Sequence, residues 1–192
     1  MSDGDNNEQI PRARLTGHMP GHIKARPGHM AKPVSTQERE AATFFEKPNF
    51  AVAGASADEN KFGYKILAWY HQHSLPVTPL NPKTPVISVD GTEYKTVASP
   101  SKLENPESYA LSIVTPPHIT KALLKEAHEA GITAVWLQPG TFDDEVQKYA
   151  FETFQAALAG MEGGTQGGQG WCVLVDGESA LERAGRKWES RL

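Results

Sequence analysis

The apolar positions of this chain fall into short buried runs separated by stretches of helical period. Ser35 and Glu38 have the spacing of a capping box, and Ala41, Ala42, Phe44 and Phe45 supply the apolar stripe of a first helix. Phe50-Ala51-Val52-Ala53 is a buried-strand pattern that closes on Gly54-Ala55-Ser56. A helix is predicted from Gly63 or Tyr64 to about His73. A second strand follows from Pro76 to Leu80 and stops at Asn81-Pro82-Lys83. The stretch over 86–106 reads as a mixed connection with turns at Asp90-Gly91 and Asn105-Pro106. Tyr109 to Val114 is the clearest strand. After it, Ile119, Leu123, Ala127 and Ala130 mark one face of a helix that ends at Gly131. Ala134 to Leu137 is a further buried strand, and Asp143 to Ala159 a helix with Thr141 as its N-cap. A glycine-rich loop fills 162–170, Trp171 to Val175 reads as a last strand, and Glu178 to Arg191 as a closing helix.

Strands alternating with helices imply parallel pairing through right-handed crossovers, with helices on both faces. The expected fold is therefore α/β, a Rossmann-like doubly wound and mainly parallel sheet. It forms one domain over 35–192, preceded by a disordered tail over 1–34. In such a sheet the ligand crevice lies beyond the carboxyl ends of the strands.

Composition narrows the classes. The 192 residues are 39% hydrophobic and 22% charged, as expected of a globular chain with a core. No apolar run approaches the ~20 residues that cross a bilayer, so no membrane association is expected. A net charge of −4 gives no general attraction to nucleic acid. The single cysteine, Cys172, excludes an internal disulfide and points to a reducing compartment. The polar, acidic opening segment is unlike a secretory signal. The cytoplasm is the simplest location, and the basic stretch after Pro11 keeps the mitochondrial matrix as the alternative. The tail carries His18, His22 and His29 in a proline-broken stretch with no thiolate or carboxylate beside them, so no metal site is expected there.

Candidate chemistry sits at four strand ends. Gly54-Ala55-Ser56 and the helix start at Gly63-Tyr64 offer close backbone approach and free N–H groups to a phosphate. At the end of the second strand, dinucleotide-binding domains place an acidic residue for the ribose hydroxyls. Here no Asp or Glu occurs between Glu59 and Asp90, and the strand finishes at Asn81-Pro82-Lys83. A lysine in that place suits a ligand with an extra ribose phosphate, which both NADP and coenzyme A carry. Thr115 can cap the next helix with Pro116 as its first residue, and Pro116-Pro117 makes a rigid apolar wall. His118 beside it is a candidate acid or base. Gln138 can exchange hydrogen bonds with an amide, while Pro139 and Gly140 complete a fourth loop.

Taken in order, these segments resemble the small stand-alone CoA-binding domain proteins, which are related to the nucleotide-binding domain of the succinyl-CoA synthetase α subunit. The resemblance runs from about Asn49 to Asp176. It rests on Val52-Ala53-Gly54-Ala55-Ser56, Gly63-Tyr64, Pro79-Leu80-Asn81-Pro82-Lys83, Thr115-Pro116-Pro117, Ala134-Val135-Trp136-Leu137-Gln138-Pro139-Gly140 and Val173-Leu174-Val175-Asp176. It implies a CoA site in which Gly54, Ala55, Ser56, Gly63 and Tyr64 receive phosphate and Lys83 lies near the 3′-phosphate. Thr115, Pro116 and Pro117 would then line the adenine or pantetheine side.

The chain is too short to hold the second, phosphohistidine-forming domain of the ligase, and Cys172 has no basic neighbour in sequence to activate it. The reading is a binder of coenzyme A or an acyl-CoA without catalytic residues of its own. The alternatives are an NADP-dependent oxidoreductase, with Lys83 on the 2′-phosphate and His118 or Tyr64 handling a proton, and an interaction module using Trp69, Tyr70 or Trp188. Small α/β domains often dimerise, so a homodimer is a further expectation.

Overall fold

The computed structural model describes residues 35–161, 168 and 170–190. The expected tail over 1–34 and most of the loop over 162–170 lie outside them. Helix α1 (Thr36–Glu46) opens on the capping box that the Ser35/Glu38 spacing predicts. Glu38 donates its backbone N–H to Ser35 Oγ at 3.1 Å, and Ser35 returns its own N–H to Glu38 Oε2 at 2.8 Å. A residue far along the chain closes its other end: the Arg186 guanidinium donates to the carbonyls of Phe45, Lys47 and Pro48. A cation there complements the helix dipole.

The remaining elements are β1 (Asn49–Ala53), α2 (Phe62–Gln72), β2 (Val77–Leu80), a hairpin of β3 (Val86–Val89) and β4 (Thr92–Lys95), β5 (Tyr109–Ile113), α3 (Pro117–Glu129), β6 (Ala134–Leu137), α4 (Asp144–Thr153), β7 (Ala156–Leu158) and α5 (Val173–Arg183). Five strands form one parallel sheet in the order β2-β1-β5-β6-β7. The chain moves outward from β1 to β2, then crosses to β5 on the opposite side of β1. The order reverses there, and the crevice of a doubly wound sheet belongs at that point. Pro79 lies in β2, an edge strand, where its missing N–H costs no ladder bond.

Alternating side chains feed two cores. Phe50, Val52, Trp136 and Leu158 face α1, α2 and α5, together with Phe44, Phe45, Ile66, Tyr70, Val173 and Leu181. Ala51, Ala53, Leu111, Ile113, Val135 and Leu137 face α3 and α4, together with Leu124, Val146 and Ala150. On the first side Tyr70 and Ser112 are both fully buried and their hydroxyls lie 2.7 Å apart, so these two satisfy each other.

Several expectations need correction. The run Trp171 to Val175 is not a strand. Its inward residues Val173, Asp176, Gly177, Ala180 and Leu181 recur with helical period, and they form α5. Buried Asp176 accepts the Cys172 N–H at 3.0 Å and so closes that helix start. The fifth strand is β7 instead, taken from the alanine-rich end of the helix expected over Asp143 to Ala159. Alanine favours helices intrinsically, but Ala156, Ala157 and Leu158 pair with β6 and are buried on both faces, and tertiary packing decides. Asp143, not Thr141, caps α4 by accepting the Val146 N–H, while Thr141 bonds back to Gln138 O. Pro116, not Thr115, is the N-cap of α3, so Pro117 takes the first helical position. The buried face of α3 is Thr120, Leu124 and Ala127, and Ile119 is exposed. Within 86–106 the structure adds the β3–β4 hairpin. Its Asp90-Gly91 turn has φ of 47° and 79°, the paired positive angles of a tight hairpin turn.

Replacing Ser35 with Ala removes the cap and is expected to cost about 0.5–2 kcal/mol in urea unfolding. Glu38, held below its ordinary pKa first by the Ser35 N–H and then by Arg183 at 2.6 Å, adds a pH signature. Its contribution is complete above the ordinary carboxylate value and is lost as pH falls through the lowered folded value. Wild type should therefore lose more stability than Glu38→Gln on acidification below about pH 4.5. Parallel losses in the two proteins would remove Glu38 from the account.

Candidate functional site

The site is built from the tips of β1, β2, β5 and β6. At the first tip, Gly54 has φ of 87°, and a Cβ there would come within 3.0 Å of the Thr115 methyl carbon. Gly63, at the start of α2, is under a different constraint. Its added Cβ would stand 2.1 Å from Gly54 O and 3.1 Å from Ser56 N, both rigid backbone atoms. The two glycines therefore let α2 start against the turn that leaves β1. Ser56 Oγ accepts the Asp58 N–H at 3.1 Å, and Asp58 Oδ1 accepts the Asn60 N–H at 3.0 Å, which holds that carboxyl below its ordinary pKa.

Asn81, at the second tip, acts as a clip. Its Nδ2 donates to Ala55 O at 2.8 Å, and its Oδ1 accepts the N–H groups of Lys83 and Thr84 at 2.8 and 3.0 Å. One side chain thereby joins the loops that follow β1 and β2 and orients the backbone that carries Lys83. These two loops frame a cavity of about 350 Å³ lined by Gly54, Ala55, Ser56, Asn81, Pro82 and Lys83, by Lys61 and Thr115, and by the aliphatic Ala53, Leu80, Ala98, Ile119 and Leu123.

Thr115 borders a second, larger cavity of about 810 Å³ at the tips of β5 and β6. Its hydroxyl lies 2.9 Å from that of Thr120, which donates to Thr115 O at 2.8 Å and fixes the bend before α3. Val114, Pro116, Pro139, Gly140 and Leu174 line this cavity with Gln138, Thr141 and Cys172, and Phe62 and Val175 stand at its margin. Gln138 is only 3% exposed. Its Oε1 accepts the Val173 N–H at 3.0 Å, and its Nε2 donor has no partner. Burial pushes the Cys172 thiol up from its ordinary pKa, with the Asp176 carboxylate acting in the same direction.

Eleven of the fourteen residues singled out in the sequence thus line one or other of two adjoining cavities, with Thr115 common to both. Gly63, Tyr64 and Pro117 do not. Gly63 serves packing, and Tyr64 directs its N–H to Lys61 O and shares a hydrogen bond with the Asp90 backbone in the hairpin turn. His118 is exposed and lines neither cavity. Sequence reading missed Lys61, whose position two residues before Gly63 was a usable signal. It also missed Phe62, Cys172, Leu174 and Val175, which only the helical start of α5 and the bend into α2 bring to the crevice.

The profile of the family described as "CoA binding domain" matches residues 48–166, more than half of the 192. The chain belongs to that CoA-binding domain family. No curated protein gives a significant match. Among solved structures, a hypothetical protein from Pyrococcus horikoshii OT3 is similar at 23% identity and a TM-score of 0.54, over 64% of this chain and 82% of that one. A protein from Thermus thermophilus, "cell-free ID.343", is similar at 23% identity and a TM-score of 0.51, over 60% and 85% of the two chains. A conserved hypothetical protein from Pyrococcus furiosus shares 28% identity at a TM-score of 0.49, over 55% and 86%. The first two show the same fold. The family match ends at residue 166, before the Val173–Asp176 segment that the resemblance had included.

Gly63→Ala forces its methyl into Gly54 O, and overpacking against backbone is expected to cost about 1–3 kcal/mol in denaturant unfolding. Asn81→Ala leaves the Ala55 carbonyl and two loop N–H groups without their clip. Amide hydrogen exchange at Lys83 and Thr84 is expected to accelerate, while exchange in β5 stays slow. Unchanged protection at both residues would show that the clip is dispensable.

Proposed function

We propose that the domain over 35–192 binds coenzyme A in this crevice, with the nucleotide end over β1 and β2 and the pantetheine arm directed toward β5 and β6. The observation that carries the reading is the polarity of the crevice. Two lysines, Lys61 and Lys83, border the smaller cavity beside a glycine turn and a helix start, whereas no charged side chain among the described residues lines the larger one. Coenzyme A has the same division, with three phosphates at one end and an uncharged arm at the other. Backbone N–H groups at a helix start and lysine ammonium groups are suited to phosphate. Membership of a CoA-binding domain family supports the choice of ligand.

In this reading Gly54, Ala55 and Ser56 allow close approach of the diphosphate, and Lys83 meets the ribose phosphate. Asn81 and Pro82 position Lys83, while Thr115, Pro116, Gln138, Pro139 and Gly140 flank the arm. The role is binding rather than turnover. NADP would satisfy Lys83 equally well, but the two proton carriers an oxidoreductase would draw on, His118 and Tyr64, line neither cavity.

Isothermal titration with CoA, dephospho-CoA, NADP and NAD tests the assignment. Lys83→Ala is expected to weaken CoA by about 1–3 kcal/mol, toward the lower figure because the side chain is exposed. It should scarcely change affinity for dephospho-CoA. Equal losses for the two ligands would detach Lys83 from the ribose phosphate, and NADP binding tighter than CoA would replace the ligand.

A further inference from the structure

The larger cavity has more apolar wall than a pantetheine arm calls for. That arm carries two amides, each asking for hydrogen-bond partners. The wall instead presents Val114, Pro116, Pro139 and Leu174, and two large apolar side chains stand at its margin in water: Phe62 at 61% exposure and Val175 at 46%. The polar groups of the wall are mostly engaged already. Thr115 bonds to Thr120, Thr141 donates to Gln138 O, and Gln138 Oε1 accepts from Val173. What remains is the Gln138 Nε2 donor, buried and without a partner. A buried donor left unsatisfied is costly, and a ligand acceptor removes that cost.

We propose that this chamber receives the acyl chain of an acyl-CoA thioester, with Gln138 Nε2 donating to the thioester carbonyl and Phe62 and Val175 closing over the chain. The inference rests on the CoA reading above, because the nucleotide end must occupy the smaller cavity for the thioester to reach the larger one. It adds a preference: acyl-CoA over free CoA, increasing with chain length. The cavity, at about 810 Å³, falls within the size range of small-molecule sites.

The test compares CoA, acetyl-CoA, octanoyl-CoA and free octanoate by titration calorimetry. Each methylene fully buried in the chamber is expected to raise affinity about fourfold, so octanoyl-CoA should bind at least ~10-fold tighter than CoA even if only part of the chain is enclosed. Cys172, the single cysteine of the chain, lines the chamber and reports its occupancy. Octanoyl-CoA should slow its alkylation by iodoacetamide, followed by intact-mass spectrometry, more than acetyl-CoA does at equal saturation, both being thioesters that do not consume the reagent. Val175→Asp, at an exposed position, should shrink the octanoyl-CoA to CoA affinity ratio. Gln138→Glu, which keeps the acceptor for Val173 and replaces the donor, should do the same.

Octanoyl-CoA binding no tighter than CoA, or tight binding that leaves Cys172 alkylation at the acetyl-CoA rate, overturns the acyl chamber while the CoA reading stands. Free octanoate binding as tightly as octanoyl-CoA overturns it in favour of a fatty-acid site. Failure of every CoA species to bind overturns both readings together.

Discussion

The crevice depends on a close approach between two stretches of backbone. Helix α2 begins so near the turn leaving β1 that a single carbon on Gly63 would overlap Gly54 O. This contact sets the angle at which α2 departs, and α2 carries Ile66, Leu67 and Tyr70 into the core on that face. The helix start therefore stands over the strand ends because the core behind it requires α2 to lie there. Packing and site share one constraint. A side chain at Gly63 would disturb both at once, since backbone on each side leaves nothing flexible to yield.

From that turn the arrangement spreads through named bonds. Gly54 donates to Leu80 O, and Val114 donates to Ala53 O, so the residues just past β1 and β5 continue the sheet ladder by one step. Asn81 then joins the β1 and β2 loops through three hydrogen bonds. The segment just after the hairpin adds a further support, because the Asn81 N–H donates to Val97 O and Val97 donates to Pro79 O. A proline in an edge strand thus still serves as an acceptor. Lys83 projects from a loop held on both sides, and its position owes little to its own side chain.

The sequence made the central part of this plan readable. Phe50–Ala53, Tyr109–Val114 and Ala134–Leu137 are apolar runs too short for helices and bounded by Gly or Pro, and each is a strand of the sheet. Residues at the tips of such strands can be located without any coordinates, so the loops of both cavities were legible. The C-terminal third was not. Trp171-Cys172-Val173-Leu174-Val175 has the composition of a strand, and Ala156-Ala157-Leu158-Ala159 that of a helix; yet Val173–Val175 open α5 and Ala156–Leu158 form β7. The deciding factors are non-local. Trp136 Nε1 donates to Trp171 O across 35 positions, and the open edge of β6 needs a partner whose small side chains admit α1 alongside. Because α5 then starts at the crevice, the same misreading hid Cys172, Leu174 and Val175 from the list of site residues.

Strand order explains why the crevice has two halves of different character. The loops after β1 and β2 lie on one side of the switch point, and those after β5 and β6 on the other, with Thr115 between them. Charge is distributed accordingly, but unevenly. Lys61 has Asp58 at 3.9 Å, and the Asn60 N–H keeps that carboxyl ionised, so part of the Lys61 field is cancelled before any anion arrives. The pair is exposed and weakly coupled. Lys83 enters no ion pair among the described residues, and no acidic residue occurs between Glu59 and Asp90 in the sequence. The positive potential over the β1–β2 half is therefore concentrated at Lys83, which lines the smaller cavity and not the larger one. Both halves are walled largely by apolar side chains, so it is this difference in charge, more than any single contact, that gives the crevice a direction.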